Sequence, residues 1–277
     1  MPPFLLRCGR FEIDLTHPRI MGIVNLTDSL SGDGLGADTA RAIAHGRRLV
    51  EEGADMLDIG GESSRPGALP ISQEQELARV LPVLEGLRDC GVPLSIDTLK
   101  PAVIQAALAA GADMINDITA LQNPGALEAV AASQCAVCLM HMQGNPRTMQ
   151  AAPHYADVVA EVGAFLESRV LVANAAGIEP ERLLLDPGFG FGKTLAHNLA
   201  LLRQLDQLRI RNLPLLVGLS RKSMLGQLTG RPPEARMPAT LAASLLALQR
   251  GASIVRVHDV AAMRDAITLL ESVETQQ

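Results

Sequence analysis

The stretch LLLDPGFGFGK, at residues 183–193, decides how the rest of this sequence is interpreted. Three leucines predict a short buried strand, and Asp186 follows them directly. A carboxylate at the end of a buried strand costs desolvation free energy unless a ligand or a partner group binds it. The glycines at 188, 190 and 192 allow a tight turn or a close approach to a ligand. We therefore interpret Asp186 as a candidate ligand-binding residue.

Two nucleotide-binding motifs share features with this stretch but do not fit it. Gly192-Lys193-Thr194 resembles the end of a phosphate-binding P-loop, yet Pro187 stands where that motif requires its first glycine. The spaced glycines also do not form the G-x-G-x-x-G dinucleotide fingerprint. The stretch is better explained as a strand end, a turn and the start of a helix.

The same order of apolar strand, polar strand end, loop and helix recurs along the chain. Gly53, Gly111 and Gly251 each stand just before a strand, where a glycine ends the preceding helix. Ser72 and Gln75 have the spacing of a capping box, and Pro82 is expected to kink or break the helix that they begin. The predicted strands lie at about 20–26, 56–62, 93–97, 114–118, 136–141, 183–187, 214–220 and 254–258.

Eight such units in one chain predict an α/β protein with a single (β/α)8 TIM barrel domain over residues 1–277. A short N-terminal β-hairpin is expected around Cys8-Gly9-Arg10. The alternative fold is an open doubly wound sheet, but no dinucleotide fingerprint follows the first strand. No linker rich in Pro, Gly or Ser divides the chain.

Composition limits the possible partners and the location. The chain has 277 residues, 48% of them hydrophobic but only 2% aromatic, which suits an aliphatic core around parallel strands. A net charge of −6 without a basic block argues against a nucleic-acid partner. We see no apolar run of about 18 residues and no signal peptide, so no membrane partner and a cytosolic location are expected. Cys135 and Cys138 have CxxC spacing, but a core position is favoured over a zinc site.

Polar residues stand at or just after the end of every predicted strand. In a (β/α)8 barrel the carboxyl ends of the strands converge on the active site. His141, at one of these ends, is favoured as a structural residue, and Glu62 is open between a catalytic role, a partner of Arg65 and a backbone contact. The strand ends in chain order carry Asn25, Glu62 with Ser64 and Arg65, Asp97, Asn116, His141, Asp186, Ser220 with Arg221 and Lys222, and Arg256 with His258.

Two chemistries can be separated within this ring. Asp97, Asn116 and Asp186 offer carboxylate and amide groups, which suit a flat heterocycle carrying amino and ring N–H groups. A second set, of cationic or potentially cationic side chains, suits phosphate or diphosphate. The expected ligand is therefore a heterocycle joined to an anionic leaving group. The second set consists of Arg65, Lys222, Arg256 and His258.

At these residues the sequence resembles the dihydropteroate synthase family, and the resemblance covers nearly the whole chain. The matching segments follow the family order. They are IMGIVNLT at 20–27, DIGGESSRPGA at 58–68, SIDTLKP at 95–101, INDI at 115–118, LMHMQGNPRTMQ at 139–150, LLLDPGFGFGK at 183–193, VGLSRKSMLG at 217–226 and RVHDV at 256–260.

The resemblance implies a transferase of folate biosynthesis that condenses a dihydropterin methyl diphosphate with p-aminobenzoate, requires Mg²⁺ and is a target of sulfonamides. It implies a dissociative reaction, in which diphosphate leaves before the arylamine attacks, and a homodimer. The implied pterin site, which includes the catalytic set, is Asp97, Asn116, Asp186, Lys222 and Arg256, with Asp97 stabilising the cation. The diphosphate would meet Asn25, which also faces Mg²⁺, and Ser64, Arg65, Arg256 and His258; p-aminobenzoate would meet Leu30, Pro66, Phe191, Lys222 and Ser223.

The loop after the first barrel strand departs from the family pattern. It lacks a proline, and Leu30 stands where the family has phenylalanine. Loss of an aromatic contact worth about 0.5–1.5 kcal/mol predicts weaker arylamine binding and altered sulfonamide sensitivity. Two alternatives to the synthase stay open: a pterin-binding paralogue with weak or no turnover, and a barrel like the methyltetrahydrofolate methyltransferases. The diphosphate-type cations argue against the second alternative.

Overall fold

A closed barrel of parallel strands organises the computed structural model, which describes residues 4–27, 35–36 and 38–274. The antiparallel pair β1 (Leu5–Cys8) and β2 (Phe11–Asp14) precedes the barrel and is the predicted hairpin. The predicted (β/α)8 architecture is confirmed. The barrel strands, each paired with its neighbours in chain order, are β3 (Arg19–Asn25), β4 (Met56–Gly60), β5 (Leu94–Asp97), β6 (Met114–Asp117), β7 (Ala136–Met140), β8 (Leu183–Asp186), β9 (Leu215–Val217) and β10 (Ala252–Val257).

Helices connect the strands and cover the outside of the barrel. Gly53, Gly111 and Gly251 follow helices with φ of +100°, +97° and +94°, a conformation that glycine adopts without strain. The helices are α1 (Thr39–Glu51), α2 (Gln73–Leu87), α3 (Pro101–Ala109), α4 (Ala126–Ala131), α5 (Val158–Ala175), α6 (Leu195–Arg203), α7 (Ser223–Thr229), α8 (Met237–Leu248) and α9 (Val260–Glu274). Short 3₁₀ turns occur at Pro180–Arg182, Leu205–Leu208, Ile210–Asn212 and Pro233–Ala235.

The start of α2 follows the prediction, but its proline does not end it. Ser72 and Gln75 form the capping box, with Ser72 Oγ accepting from Gln75 N at 3.2 Å. Helix α2 continues through Pro82 to Leu87, so the expected break does not occur. Pro82 lies on the exposed face of the helix, where its ring does not disturb the packing against the barrel.

Alternate residues of each strand face the barrel interior, as the two-residue period of a strand requires. In β4, Leu57 and Ile59 belong to the core cluster shared with the helices, whereas Met56 belongs to an inner cluster. Asp58 therefore also faces inward. The inner cluster includes Leu6, Cys8 and Ile13 of the hairpin, together with Met21, Met56, Met114, Ala136, Cys138, Leu184, Leu216 and Ile254 of the barrel. The hairpin thus closes the end of the barrel where the strands begin.

The carboxylates at this amino-terminal end are bound by neighbouring donors. Asp113 accepts from Leu94 N at 3.0 Å, and it accepts from the backbone N, Nε and Nη2 of Arg10 at 3.1, 2.9 and 2.8 Å. Asp55 binds Arg264 Nη2 at 2.6 Å and Ile20 N at 2.7 Å. These contacts give both carboxylates a structural role at the end of the barrel opposite the cavity. Across the described part of the chain, we find no helix long and apolar enough to cross a membrane.

Candidate active site

A cavity of about 400 Å³ opens at the carboxyl ends of the barrel strands. This volume lies in the range of small-molecule sites, which are about 300–1,000 Å³. Leu30 falls outside the described residues, so the structure does not place it. The other predicted site residues all line the cavity: Asn25, Ser64, Arg65, Pro66, Asp97, Asn116, Asp186, Phe191, Lys222, Ser223, Arg256 and His258.

Arg256 bridges two carboxylates at the floor of this cavity. Its Nε donates to Asp58 Oδ2 at 2.6 Å, and its Nη2 donates to Asp97 Oδ2 at 3.1 Å. Burial raises the pKa of Asp97 to about 7, although the Arg256 charge opposes this shift. The pKa of Arg256 is raised, because its two carboxylate partners outweigh its burial. These two contacts hold the guanidinium as a fixed cation at the cavity wall.

Asp58 is a site residue that the sequence analysis missed. It is completely buried and does not line the cavity, but it contacts residues that do. Besides Arg256, it accepts from Asn116 Nδ2 at 3.1 Å and from Ser95 Oγ at 2.6 Å. The sequence offered one signal for Asp58, which is its position two residues before Gly60 at the end of a buried strand. Residues two apart on a strand share a face, so Asp58 faces the barrel interior as the cavity residues do.

Asp186 and Lys222 also line the cavity. Asp186 is 6% exposed and, among the described residues, accepts one hydrogen bond, from Gly188 N at 2.7 Å. Burial raises its pKa, with the Lys222 charge opposing. Burial also lowers the pKa of Lys222 to about 8, and its ammonium contacts Phe189 O. Lys222 Nζ lies 4.3 Å from the centre of the Phe191 ring, so the predicted pterin and aminobenzoate sites share this lysine.

The loop of the 183–193 stretch is held from beneath by Lys193. This lysine is 3% exposed, and its ammonium donates to Gly188 O at 2.9 Å, to Phe191 O at 3.0 Å and to His141 Nδ1 at 2.9 Å. Burial lowers its pKa to about 7. Gly188 has a φ of +68°, and a side chain there would collide with His141 O, so only glycine fits the turn.

His141 therefore supports the loop and does not line the cavity. Its ring packs edge-on against Phe165 at 4.9 Å, and burial lowers its pKa to about 3, an effect that the Lys193 charge increases. The neutral ring accepts a hydrogen bond from the Lys193 ammonium at Nδ1. The structural interpretation of His141 agrees with these contacts, and Lys193 is a loop-supporting residue whose role the sequence did not reveal.

His258 is oriented by Ser220. Ser220 Oγ accepts from His258 N at 3.3 Å, and it lies 2.8 Å from His258 Nδ1. Since the oxygen already accepts the backbone N–H, its own proton is available to Nδ1. Ser220 therefore fixes the orientation of the His258 ring at the edge of the cavity.

The second loop, residues 61–71, is anchored by Glu62, which also lines the cavity. Glu62 Oε2 accepts from Ile71 N at 2.8 Å and from Lys100 Nζ at 2.6 Å. Lys100 also binds Glu76 at 2.5 Å. Glu62 therefore makes the backbone contact that was one of its three interpretations. Arg65 and Pro66 stand exposed on this loop at the cavity rim.

The oxygen donors near Asn25 suit a divalent cation that shares its ligands with a substrate. Mg²⁺ usually takes one or two protein oxygens, substrate phosphates and waters. Asn25 is the last residue of β3, and its Oδ1 lies beside Gly60 at the end of β4. Within the described ranges, no group of three or more His, Cys, Asp or Glu could hold a metal alone. The Asn25 amide oxygen is thus a fitting single protein ligand for an Mg²⁺ that also binds a substrate diphosphate.

Known proteins resemble this chain over nearly its whole length. A family model described as "Pterin binding enzyme" matches residues 21–258. The dihydropteroate synthase of Neisseria meningitidis serogroup C is 52% identical over 272 residues, which cover 96% of each chain. The crystal structure of Burkholderia cenocepacia dihydropteroate synthase complexed with 7,8-dihydropteroate is 48% identical, with a TM-score of 0.92 over 99% of this chain and 98% of that chain. The Xanthomonas albilineans dihydropteroate synthase with 4-aminobenzoic acid is 53% identical, with a TM-score of 0.91 over 98% of each chain.

Proposed function

This chain belongs to the dihydropteroate synthase family of pterin-binding enzymes, and from this premise we propose how its cavity condenses (7,8-dihydropterin-6-yl)methyl diphosphate with p-aminobenzoate. The products are 7,8-dihydropteroate and pyrophosphate. One observation carries the assignment of the site: acceptor groups for a heterocycle and cations for a diphosphate line the same cavity. A site for a heterocycle alone would not need the cations, and a site for a diphosphate alone would not need the acceptor groups.

The pterin is assigned to the wall formed by Asp97, Asn116 and Asp186. Asp186 accepts one hydrogen bond from the described part of the chain and has acceptor capacity left, so it can bind the amino and ring N–H groups of the pterin. Lys222 offers a donor beside it, and the planar Arg256 guanidinium can stack on the ring. These contacts orient the methylene carbon toward the second substrate.

The diphosphate is assigned to the cationic side of the cavity. Arg256, His258 and Arg65 supply N–H donors, and Ser64 adds a hydroxyl. Asn25 would hold Mg²⁺ together with diphosphate oxygens. When bound, Mg²⁺ neutralises negative charge on the leaving group. The p-aminobenzoate is assigned to the rim, against Phe191, Pro66 and Ser223, next to Lys222.

The proposed reaction is dissociative. The bond between the methylene carbon and the diphosphate oxygen breaks first, and its electron pair leaves with the diphosphate. Arg256 and His258 stabilise the charge that grows on the leaving group. Asp97, which lies 3.1 Å from Arg256, faces the positive charge that spreads into the pterin. The neutral arylamine nitrogen then attacks the carbon and afterwards loses a proton.

The test is turnover by the purified full-length chain. Incubation with the dihydropterin diphosphate, p-aminobenzoate and Mg²⁺ should yield dihydropteroate and pyrophosphate in equal amounts. Omission of Mg²⁺ should abolish turnover, and p-hydroxybenzoate should serve as a poor substitute for the arylamine. Tight pterin binding without any product would contradict the synthase assignment and support the non-catalytic paralogue.

We also infer a homodimer that uses the outer face of α7 and α8. Leu228 on α7 and Leu246 on α8 are 54% and 41% exposed, and Met237 at the start of α8 is 37% exposed. Exposed apolar side chains on these two contacting helices favour burial against a partner. Light scattering should give twice the chain mass, and Leu246→Glu should halve that mass, whereas Leu171→Glu on α5 should not. A cytosolic location stays a prediction from the sequence.

A further inference from the structure

The carboxylate of Asp58 has no ligand-facing surface, yet it contacts two residues that line the cavity. It is fully buried in the middle of β4, one layer below the cavity floor. A buried carboxylate requires hydrogen-bond donors, and Asp58 has three: Arg256 Nε, Asn116 Nδ2 and Ser95 Oγ. Two of these donors belong to side chains assigned above to the pterin site.

The contact with Asn116 decides which end of that amide faces the cavity. A carboxylate only accepts hydrogen bonds, so it must be the NH₂ group of Asn116 that faces Asp58. The amide oxygen is then the atom left for a ligand. Asn116 is 6% exposed and lines the cavity, so a ligand there meets an acceptor and has to donate.

The contact with Arg256 fixes the plane of the guanidinium. Nε is bound to Asp58 at 2.6 Å and Nη2 to Asp97 at 3.1 Å, on two neighbouring strands. Two hydrogen bonds to separate carboxylates prevent the planar group from turning about its long axis. The open face of Arg256 therefore keeps one orientation before a ligand arrives.

We propose that Asp58 is a positioning residue that sets the donor and acceptor pattern of the pterin site by holding Asn116 and Arg256. This inference rests on the proposed function of the cavity and extends it to a residue that never touches the substrate. The ligand class that this pattern selects is a flat heterocycle with an N–H donor facing Asn116.

The test removes the oxygen that both side chains share. Asn116 Nδ2 and Arg256 Nε donate to the same atom, Asp58 Oδ2, whereas Ser95 Oγ donates to Oδ1. In Asp58→Ala neither side chain keeps this partner, and pterin affinity should fall about tenfold or more. In Asp58→Asn the amide oxygen can take the place of Oδ2 while the NH₂ group donates to Ser95 Oγ. Asp58→Asn should therefore bind pterin at least about threefold more tightly than Asp58→Ala.

Binding is measured by calorimetry with the dihydropterin diphosphate and Mg²⁺ in the absence of arylamine, and melting temperatures are measured alongside. Ser95→Ala is the matched control, because it removes a hydrogen bond from the same carboxylate without contacting the ligand. It should change pterin affinity by less than about threefold, and Asp58→Ala should leave the KM for p-aminobenzoate within about threefold.

Two results would overturn the inference: Asp58→Ala that binds pterin as tightly as the wild type, or Asp58→Asn that binds no better than Asp58→Ala. If Asp58→Ala does not fold, Asp58→Leu, which fills the space without an acceptor, takes its place in both comparisons. A wild-type protein that binds pterin but makes no product would contradict the proposed function and would leave this comparison of affinities intact.

Discussion

Buried aspartates at the two ends of this barrel have opposite surroundings. At the amino-terminal end, Asp113 accepts four hydrogen bonds, three from Arg10 and one from Leu94 N. At the carboxyl end, Asp186 accepts one, from Gly188 N, among the described residues. Both are nearly inaccessible, at 1% and 6% exposed. Burial alone therefore does not distinguish a structural carboxylate from a binding one.

The difference lies in how much acceptor capacity the chain itself uses. Asp113 has its lone pairs satisfied by the fold, so its charge stabilises the closure of the barrel by the hairpin. Burial raises the pKa of Asp186 and that of Asp97, so these charges are costly in the folded protein without a ligand. Such cost at a cavity wall is the usual sign of a functional site. The carboxyl end is thus prepared for the donors of a substrate.

Asp186→Asn should have the largest effect, which should be on kcat/KM for the pterin substrate and not on stability. An asparagine there presents one oxygen and one NH₂ group to pterin donors, so two charge-assisted hydrogen bonds of about 1.5–3 kcal/mol each are weakened or lost. We expect kcat/KM for the pterin substrate to fall roughly a thousandfold, or ~4 kcal/mol. The melting temperature at pH 8 should not fall, because the variant removes a buried charge that has one hydrogen bond. Unchanged turnover would refute the assignment of Asp186.

The pH dependence of stability should reveal Asp97. Its pKa of about 7 in the folded protein exceeds the unfolded value, so the folded state holds an extra proton between about pH 4 and 7. Stability from this residue is therefore present at low pH and is lost as pH rises through 7. Relative to wild type, Asp97→Asn should gain about 3 kcal/mol in unfolding free energy between pH 4 and 7.

Urea denaturation of both proteins across this range measures the difference, and the shifts of other buried groups cancel in it. Asp206→Asn, at an exposed position, serves as the control and should give a flat difference. A flat difference for Asp97→Asn as well would show that the Arg256 charge fully compensates the burial of Asp97.

Much of this arrangement could be predicted because the barrel makes strand ends converge. Once eight units are recognised, any polar residue at the end of a buried strand falls at one end of the barrel, as Asn25, Asp97 and Asp186 do. Glycines before strands and the Ser72 capping box depend on local backbone geometry, which sequence reports well. For these residues, position along the chain was enough.

Other residues depend on three-dimensional neighbours, which the chain order does not reveal. Asp58 lies within a strand, and its partners Asn116 and Arg256 come from β6 and β10. Lys193 follows three loop glycines like a surface residue, but the loop folds over it. Pro82 is tolerated because it falls on the exposed face of α2. To predict each of these three outcomes, one needs the direction in which the side chain points in addition to the helix, strand or loop that carries it.

Asp113→Asn should act on stability and leave catalysis unchanged. The four donors around Asp113 can be satisfied only by two oxygens, and an asparagine turns an NH₂ group toward one of them. We expect unfolding free energy to fall by about 2 kcal/mol, with kcat and both KM values unchanged well below the melting temperature. Thermal and urea unfolding measure the first, and steady-state kinetics the second. A large loss of turnover in this variant would mean that the two ends of the barrel are coupled.

Leu30→Phe should have the smallest effect, confined to the second substrate. Leu30 follows β3 at the carboxyl end, in a segment outside the described residues, where the family has phenylalanine. Restoring an aromatic contact worth about 0.5–1.5 kcal/mol should lower the KM for p-aminobenzoate roughly two- to tenfold and shift sulfonamide inhibition in parallel. Leu5→Phe, exposed at the other end of the barrel, should change neither constant. If Leu30→Phe leaves the arylamine KM unchanged, the aliphatic side chain already suffices there, and the weaker arylamine binding inferred from the sequence is wrong.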